Sequence, residues 1–529
     1  MLPRDADAAY DALCDQGGLT RRQLTIWAGD RMAAGRPVFV EAGMMRLHGP
    51  LDAERFQRAF QQVVDECDAL RFAFDESVGA PRLRVRSSAV GHVELLEAPS
   101  PEGLAAIADE RVARVGVEGS LYESALVRMA ANEHAWLLAQ HQLIADAWSF
   151  GVVFERTALH YGRLGDAGPV ADDPPPSFLE YVERERAYRA SARCAAARQR
   201  WSSRFAGAPS PAGSRPGIGQ VATTRTRRVE RRLGRELSAA VRALAASEAA
   251  TADVGLFAVV AAAVAIGVGR STGSPVVVLN VPFANRPSGR FKRTAGSFMN
   301  VWPVRLAVEP GDAFRGVVAR AVAEVWETAA HQEYVGRPGP VPHPYEVFLN
   351  VHKQAIAARS FADLPMEVRW LAPRHRFGGL AVAVEDFGAT REITLVLDAN
   401  AETFGSGERE ALADEMLTLL AAAVADPDRH VVRLADAGVS PAARTSAIAW
   451  SGGDPTARLG RLWCELLAVE TVAAEDDFFA LGGDSLLAYR MLVRARAELG
   501  IAATVERFLA RPTIAGLLEG ATTEREGDG

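Results

Sequence analysis

The chain has 529 residues, 49% of them apolar and 24% charged, with a formal net charge of -7. This length predicts three or four units of domain size, and the mild acidity argues against a general nucleic-acid binder. The longest apolar run, residues 254–269, is short for a membrane span and rich in alanine, which is typical of a buried helix. The N-terminus lacks the apolar core of a secretion signal, so we expect a cytoplasmic protein without a membrane partner.

The four cysteines predict no metal site. Cys14, Cys67, Cys194 and Cys464 form no CxxC pair and no Cys/His cluster with metal-binding spacing. Isolated thiols of this kind are typical of a reducing compartment, where they are buried or partly buried.

Two helices are predicted near the N-terminus. Thr20 is a suitable cap for a helix in which Gln23, Ile26 and Trp27 have helical spacing. Residues 51–70 form a second amphipathic pattern, which changes to alternation at residues 71–74 and therefore predicts a helix followed by a strand.

Polar side chains follow a very apolar strand in the first third of the chain. Residues 135–140 predict a strand buried on both faces, and His141, Gln142 and Asp146 come directly after it. Polar residues at the end of a buried strand commonly present chemistry. A histidine near an aspartate is also common as a structural pair, so this segment alone leaves both interpretations open.

The middle of the chain predicts a boundary and a second α/β region. Residues 172–176 (DDPPP) are a stiff breaker between two lobes. Residues 178–205 predict one long Arg-rich helix, and residues 224–233 predict an Arg-rich strand with a solvated face rather than a nucleic-acid site. Further helices are predicted at residues 237–244, 252–269, 312–331 (capped by Asp312) and 408–425, and strands at 275–281, 301–308, 347–351, 380–384 and 393–397.

A glycine-rich bend near the C-terminus precedes another helix. Asp484 is a good capping residue, so Ser485 falls in the first turn, where backbone N–H groups favour an anion. A serine there is well placed to carry a phosphodiester. We expect a linker at residues 436–455, a small all-α helical bundle at 456–521 and a tail at 522–529.

The segment DDFFALGGDSLLA, residues 476–488, resembles the attachment site of peptidyl carrier proteins. The similarity continues through Phe508 and residues 511–514. It implies 4'-phosphopantetheine bound covalently to Ser485, beside Asp484, and a phosphopantetheinyl transferase as a partner. The chain would therefore handle thioesters.

Residues 141–149 resemble the HHxxxDG motif of nonribosomal peptide synthetase condensation domains, a family of natural-product and antibiotic biosynthesis. His141 and Asp146 match the first His and the Asp, whereas Gln142 replaces the second His and Ala147 the Gly; Trp148 and Ser149 follow as they often do in the family. Further similarity lies at residues 19–27, 69–71, 177–181, 296–300 and 331–333, so that it spans about residues 15–430.

This second resemblance implies an α/β condensation domain over residues 1–435. Its two chloramphenicol-acetyltransferase-like lobes, about 1–173 and 174–435, would form a V with a tunnel between them. Arg286 is implied as the ion-pair partner of Asp146, and Asn300, Trp148 and Ser149 as tunnel or structural residues. His141, Gln142, Asp146 and Ala147 are the candidate catalytic positions.

Two functions follow from the resemblance. In the first, an amide-forming acyltransferase joins a thioester donor on an upstream carrier protein to an amine on the Ser485 arm. No adenylation motif occurs, so a separate adenylation protein would load that arm, and a downstream condensation, thioesterase or tailoring enzyme would use the product. Gln142 cannot act as a base near neutral pH, but it can donate a hydrogen bond to an oxyanion.

In the second function, the condensation fold has lost catalysis and recruits a tailoring enzyme to the substrate on Ser485. An epimerase is disfavoured because epimerisation domains follow a carrier. A cyclising enzyme is disfavoured because that class has an Asp at the position of His141.

Overall fold

The structure is a computed structural model that describes residues 4–523, apart from residues 34, 78–79, 166–173, 206–223, 273–274, 310, 335–346, 354–359, 377–378, 387–391, 432–454, 468, 470, 479–480, 482, 484 and 520–521. The described residues contain two six-stranded sheets, followed by a small helical domain. This is the predicted α/β architecture with a C-terminal all-α bundle.

The helices and strands are numbered in chain order. The first region contains α1 (Arg4–Gly17), α2 (Arg21–Met32), β1 (Val40–His48), α3 (Ala53–Glu66), β2 (Phe72–Ser77), β3 (Ala80–Val85), β4 (Glu94–Glu97), α4 (Pro101–Arg114), β5 (Tyr122–Ala130), β6 (Glu133–His141) and α5 (Ala147–Arg163). The second contains α6 (Phe178–Arg189), α7 (Ala192–Phe205), β7 (Thr226–Arg232), α8 (Gly234–Glu248), α9 (Ala252–Thr272), β8 (Val276–Phe283), β9 (Asn300–Ala307), α10 (Phe314–Ala329), β10 (Val347–Lys353), β11 (Ser360–Phe361), β12 (Leu364–Trp370), β13 (Leu380–Asp386), β14 (Thr394–Asn400) and α11 (Ser406–Ala425). The third contains α12 (Pro455–Leu467), α13 (Ser485–Leu499), β15 (Ile501–Ala502), α14 (Val505–Ala510), α15 (Ile514–Leu518) and β16 (Thr522–Thr523).

The first sheet has the strand order β11-β12-β1-β6-β5-β4. Its central pair, β1 and β6, is antiparallel, with Val40 opposite His141. Strand β6 is buried along almost its whole length, as predicted. On one face, the ring of Trp136 packs against Phe56 of α3 and Phe154 of α5, with ring centroids 5.0 and 4.8 Å away. This aromatic packing holds β6 against α3 and α5.

The second sheet has the strand order β7-β14-β13-β10-β8-β9. Strand β10 runs parallel to both β8 and β13. Helix α9 is long and apolar enough to cross a membrane, but most of its apolar stretch is buried inside the protein. It is therefore a core helix, as the alanine-rich sequence predicted.

The boundary between the lobes is less simple than predicted. Strand β12 pairs antiparallel with β1 of the first sheet, with Gly43 opposite Trp370, and β11 pairs with β12. Residues 360–370 therefore belong to the first sheet, although the predicted division assigned residues 174–435 to the second lobe. The pairing of β12 with β1 covers an edge of β1 that would otherwise present unpaired backbone groups.

Two other local predictions were wrong in detail. The Arg-rich segment forms two helices, because the hydroxyl of Ser191 accepts a hydrogen bond from the Cys194 N–H at 3.2 Å and starts α7 separately. Asp312 does not cap α10, whose N-cap is Ala313; its carboxylate accepts from the N–H of Glu309 at 2.7 Å instead. The predicted basic strand is present as β7.

The C-terminal domain forms the predicted bundle around an aromatic core. The rings of Trp463 and Phe508 lie 4.8 and 5.4 Å from that of Phe478. Helix α12 begins at Pro455, inside the predicted linker, and the rest of that linker lies outside the described residues. Thr522 and Thr523, predicted to belong to the tail, instead pair with β15; residues 524–529 lie outside the described part of the chain.

Candidate active site and carrier site

The polar segment connects β6 to α5. The strand ends at His141, and α5 begins at Ala147 with Asp146 as its N-cap. The Asp146 carboxylate accepts a hydrogen bond from the Ser149 N–H at 2.8 Å, which satisfies one of the free donors of the first turn. The local sequence therefore fixes the helix start, and with it the positions of the side chains before it.

Both ring nitrogens of His141 have protein partners. Nδ1 accepts from the N–H of Leu143 at 3.2 Å, and Nε2 lies 3.0 Å from a carboxylate oxygen of Asp30. Since Nδ1 accepts, Nε2 carries the proton and donates it to Asp30. The side chain is only 1% exposed. This imidazole holds the segment against α2 and has no lone pair directed to a substrate.

Asp146 and Arg286 form a buried ion pair between the two lobes. Nη2 of Arg286 donates to Oδ1 of Asp146 at 2.8 Å, and the two side chains are 2% and 4% exposed. Oδ2 of Asp146 accepts from the N–H groups of Phe298 and Met299, each at 3.2 Å. Burial lowers the pKa of Arg286, although the Asp146 carboxylate opposes this effect. Arg286, which the resemblance implied as the partner of Asp146, is therefore in contact with it.

Of the other candidate residues, Ser149 is hydrogen-bonded to this ion pair, whereas Trp148 and Asn300 are hydrogen-bonded to other segments. Ser149 belongs to the ion-pair cluster, since its hydroxyl oxygen accepts from Nη2 of Arg286 at 3.2 Å; the hydroxyl also contacts the carbonyl oxygen of Gly296 at 2.7 Å. Trp148 is 40% exposed and its Nε1 donates to the carbonyl of Lys292 at 2.8 Å. Asn300 donates to the carbonyl of Gln332 at 3.1 Å within the second lobe, and so joins two segments that the resemblance had singled out.

Gln142 lies between two charged side chains. Its Nε2 donates to Oε1 of Glu41 at 3.0 Å, and its Oε1 accepts from Nη2 of Arg22 at 3.4 Å. The pKa of Glu41 is raised to about 7: burial raises it most and the nearby Asp146 adds to this, whereas Arg22, Arg376 and the Gln142 bond oppose the rise. Glu41 was missed in the sequence. Its only signal is a carboxylate in the otherwise apolar stretch VFVEAGMM.

The carrier domain has the features that a phosphopantetheine arm requires. Helix α13 begins at Ser485, so this serine lies at the positive end of a helix. A Cβ on Gly483 would lie 2.1 Å from the Phe478 ring and 2.6 Å from its carbonyl oxygen, so only glycine fits the preceding bend. Asp484 lies outside the described residues.

The carrier helix contacts the first lobe. The rings of Tyr489 on α13 and Trp27 on α2 meet edge to face, with centroids 5.4 Å apart. Trp27 is fully buried. The helix that begins with Ser485 therefore packs on the helix that carries Arg22.

Comparison with known families agrees with this architecture. Residues 16–336 match the family described as condensation domain, and residues 457–520 match the phosphopantetheine attachment site. Because the first match covers more than half of the chain, the chain belongs to the condensation domain family. It is a nonribosomal peptide synthetase condensation–carrier didomain, of a class that forms amide bonds by acyl transfer. Its cofactor is 4'-phosphopantetheine on a serine, and Ser485 is the one serine in residues 457–520.

The relatives are larger synthetases. The isonitrile lipopeptide synthase of Streptomyces coeruleorubidus is 28% identical over 465 residues, which cover 82% of this chain and 30% of that protein. The phosphinothricin tripeptide synthetase PhsC of Streptomyces viridochromogenes is 27% identical over 329 residues, covering 60% of this chain and 30% of that protein. The chain thus spans less than a third of these curated relatives.

Solved structures show the same fold. The first condensation domain of the calcium-dependent antibiotic synthetase, in complex with a substrate analogue, has a TM-score of 0.67 at 22% identity, covering 78% of this chain and 97% of that one. The starter condensation domain of the rhizomide synthetase RzmA, as a mutant in complex with C8-CoA, has a TM-score of 0.69 at 22% identity, covering 77% and 95%.

Proposed function

We propose that this didomain joins an acyl or peptidyl donor, delivered as a thioester by an upstream carrier protein, to an amine held on its own arm at Ser485. A separate adenylation protein loads that amine in trans, and a phosphopantetheinyl transferase installs the arm. A downstream condensation, thioesterase or tailoring enzyme then takes the product. The reaction belongs in the cytoplasm, the expected compartment for a chain whose four cysteines form no disulfide.

The main support for this proposal is the contact between helix α13 of the carrier domain and helix α2 of the first lobe. Tyr489 packs on Trp27, and Arg22, which binds Gln142, lies five positions before Trp27 on the same helix. Five residues correspond to about 7.5 Å along a helix axis. The carrier helix and Gln142 thus both contact the same short helix, α2, which supports delivery of the acceptor from Ser485 rather than from another protein.

The residues around Gln142 suit a positioning and electrostatic role. The Gln142 amide nitrogen carries two N–H groups, and its bond to Glu41 uses one of them. The other can donate to the oxyanion that develops when an amine attacks a thioester carbonyl. When bound, the phosphopantetheine arm supplies the thiol that holds the acceptor. Orientation of two tethered reactants can contribute rate comparable to acid–base help.

Removal of the carrier contact tests delivery from the chain's own arm. We expect Tyr489→Ala to slow transfer to an aminoacyl group on Ser485 about tenfold, because an aromatic pair and its buried area contribute about 1 kcal/mol or more. Transfer to a small soluble aminoacyl thioester should be unchanged. Product formation is followed by liquid chromatography and mass spectrometry.

Tyr489→Phe is the matched control, since it keeps the edge-to-face ring contact, and we expect a rate within about twofold of the wild type. If Tyr489→Ala slowed both acceptors equally, or neither, the carrier contact would have no part in acceptor delivery.

A docking platform is the second candidate function. It is favoured because the polar side chains of the motif are already bonded to other protein groups. His141 is held at both nitrogens and Gln142 cannot titrate, so a non-catalytic fold that recruits a tailoring enzyme is chemically consistent. The active enzyme and the platform differ in their dependence on Gln142. We expect Gln142→Ala to reduce amide formation about 10²-fold, the typical loss of one oxyanion donor.

Gln142→Asn is a useful comparison, because it keeps the amide but shortens the side chain by one methylene. A wild-type chain that binds a modifying enzyme, forms no amide and turns over identically after Gln142→Ala would support the platform instead.

A further inference from the structure

The side chains of Glu41 and Gln142 meet where the motif of the family has its second histidine. Strands β1 and β6 pair with Glu41 opposite Gln140, two residues before Gln142. Gln142 lies one residue beyond the end of β6, and its Nε2 donates a hydrogen bond to Oε1 of Glu41 at 3.0 Å. The Glu41 carboxylate on β1 is therefore close enough to contact a substrate group that is bound by Gln142.

We propose that Glu41 is the proton acceptor of the amide-forming step and takes over the task that Gln142 cannot perform. This inference rests on the proposed function, since it needs an acceptor amine at Gln142. A general base must be within hydrogen-bond reach of the proton that it removes. Glu41 already binds the Gln142 amide nitrogen, so an amine that attacks a carbonyl bound to the second N–H of that nitrogen would come within reach of the Glu41 carboxylate.

The step balances without any further reactant. The acceptor amine nitrogen forms a bond to the thioester carbonyl carbon of the donor, and the carbonyl oxygen becomes an oxyanion that Gln142 stabilises. Glu41 takes the proton that the nitrogen loses. The oxyanion collapses, the carbon–sulfur bond breaks, and the proton passes from Glu41 to the departing sulfur, which leaves as a thiol.

The charges around Glu41 suit this task. Burial and the nearby Asp146 oppose ionisation of Glu41, whereas Arg22 of α2 and Arg376, which follows β12, stabilise its carboxylate; the pKa of Glu41 is raised to about 7. A base with a pKa near the working pH is the most effective compromise between availability and strength. Above pH 7 the carboxylate is free to accept a proton; below it the rate should fall about tenfold per pH unit.

A purely supporting role for Glu41 would give a different result. If Glu41 only holds Gln142 in place, Glu41→Gln should have no further effect in a chain that already carries Gln142→Ala. If Glu41 accepts the proton, the double variant should be slower than either single variant. Gln142→His should also restore most of the rate of Glu41→Gln, because an imidazole then stands where the base is needed.

The experiment measures single-turnover amide formation by the full chain, loaded with an aminoacyl group, from pH 5.5 to 9. We expect Glu41→Gln to be about 10²-fold slower or more above pH 7 and to lose the fall in rate below it. Arg22→Gln removes a stabilising positive charge, so the fall should move to higher pH. Glu385→Gln is the matched control, because burial also raises the pKa of Glu385 to about 7 but it lies on β13 of the second sheet; we expect a rate within about twofold of the wild type.

Denaturant unfolding provides a second readout that does not depend on turnover. The folded-state pKa of Glu41 lies above its ordinary value of 4.5, so the carboxyl destabilises the folded chain increasingly as pH rises from about 4.5 to about 7. Glu41→Gln should therefore gain stability relative to the wild type over this range. A Glu41→Gln chain with the wild-type rate and pH profile would overturn this inference alone. A folded wild-type chain that makes no amide with any donor would overturn the proposed function and this inference together.

Discussion

Ser485→Ala is expected to abolish attachment of the arm and every reaction that depends on it. When the purified chain is incubated with coenzyme A and a broad-specificity phosphopantetheinyl transferase, the wild type should gain the mass of one phosphopantetheine group and the variant should gain none. The reason is chemical, since the phosphodiester needs the serine hydroxyl, and residues 457–520 contain no second serine. Intact-protein mass spectrometry measures the outcome directly.

Two controls separate this loss from damage to the fold. Ser203→Ala, at an exposed position of α7, should leave the mass gain unchanged. The Ser485→Ala chain should still form amide with a small soluble aminoacyl thioester, because its condensation domain is intact. A full mass gain in Ser485→Ala would assign the arm to another residue and remove the basis for acceptor delivery from α13.

Arg286→Met is expected to be the most destabilising single change between the lobes. It leaves the Asp146 carboxylate buried without its cation, and loss of one partner of a buried ion pair typically costs about 3–5 kcal/mol. The side chains are almost fully enclosed, and Asp146 also caps α5 and binds two N–H groups of the segment before β9. Denaturant unfolding followed by tryptophan fluorescence should show the loss as an earlier transition of the condensation domain.

Arg290→Met is the matched control for the same residue type a few positions later. Arg290 pairs with Glu180 at 2.6 Å, but these side chains are 59% and 42% exposed, so the loss should be below about 1 kcal/mol. Asp146→Asn in the Arg286→Met background should recover part of the stability, since it removes the unpaired charge. If Arg286→Met and Arg290→Met were equally mild, the buried pair would not hold the lobes together.

Local patterns in the sequence were sufficient for most individual elements. The apolar run of β6, the alanine-rich α9 and the alternation of β7 all depend on neighbours within a few residues, and each forms as predicted. The addition of residues 360–370 to the first sheet could not be predicted in this way. It depends on which strand has an unpaired edge after the lobes have packed, and local sequence patterns do not identify that strand.

The candidate site also contains residues that the sequence could identify and one that it could not. The resemblance pointed to His141, Gln142, Asp146 and Arg286, and these residues lie at or next to the end of β6. Glu41 is about a hundred residues away in the chain and belongs to no motif, so only the pairing of β1 with β6 reveals it. The catalytic roles of all these residues stay predictions until they are measured.

If the didomain transfers an acyl group onto the amine carried by Ser485, the masses of both carriers must change together. The wild-type chain is loaded with an aminoacyl arm, mixed with a donor carrier bearing an acyl thioester, and both proteins are weighed intact over time. We expect the Ser485 species to gain the mass of the acyl group while the donor carrier loses it. An aminoacyl arm that keeps its mass with every donor, on a chain that is folded and fully loaded, would contradict this transfer.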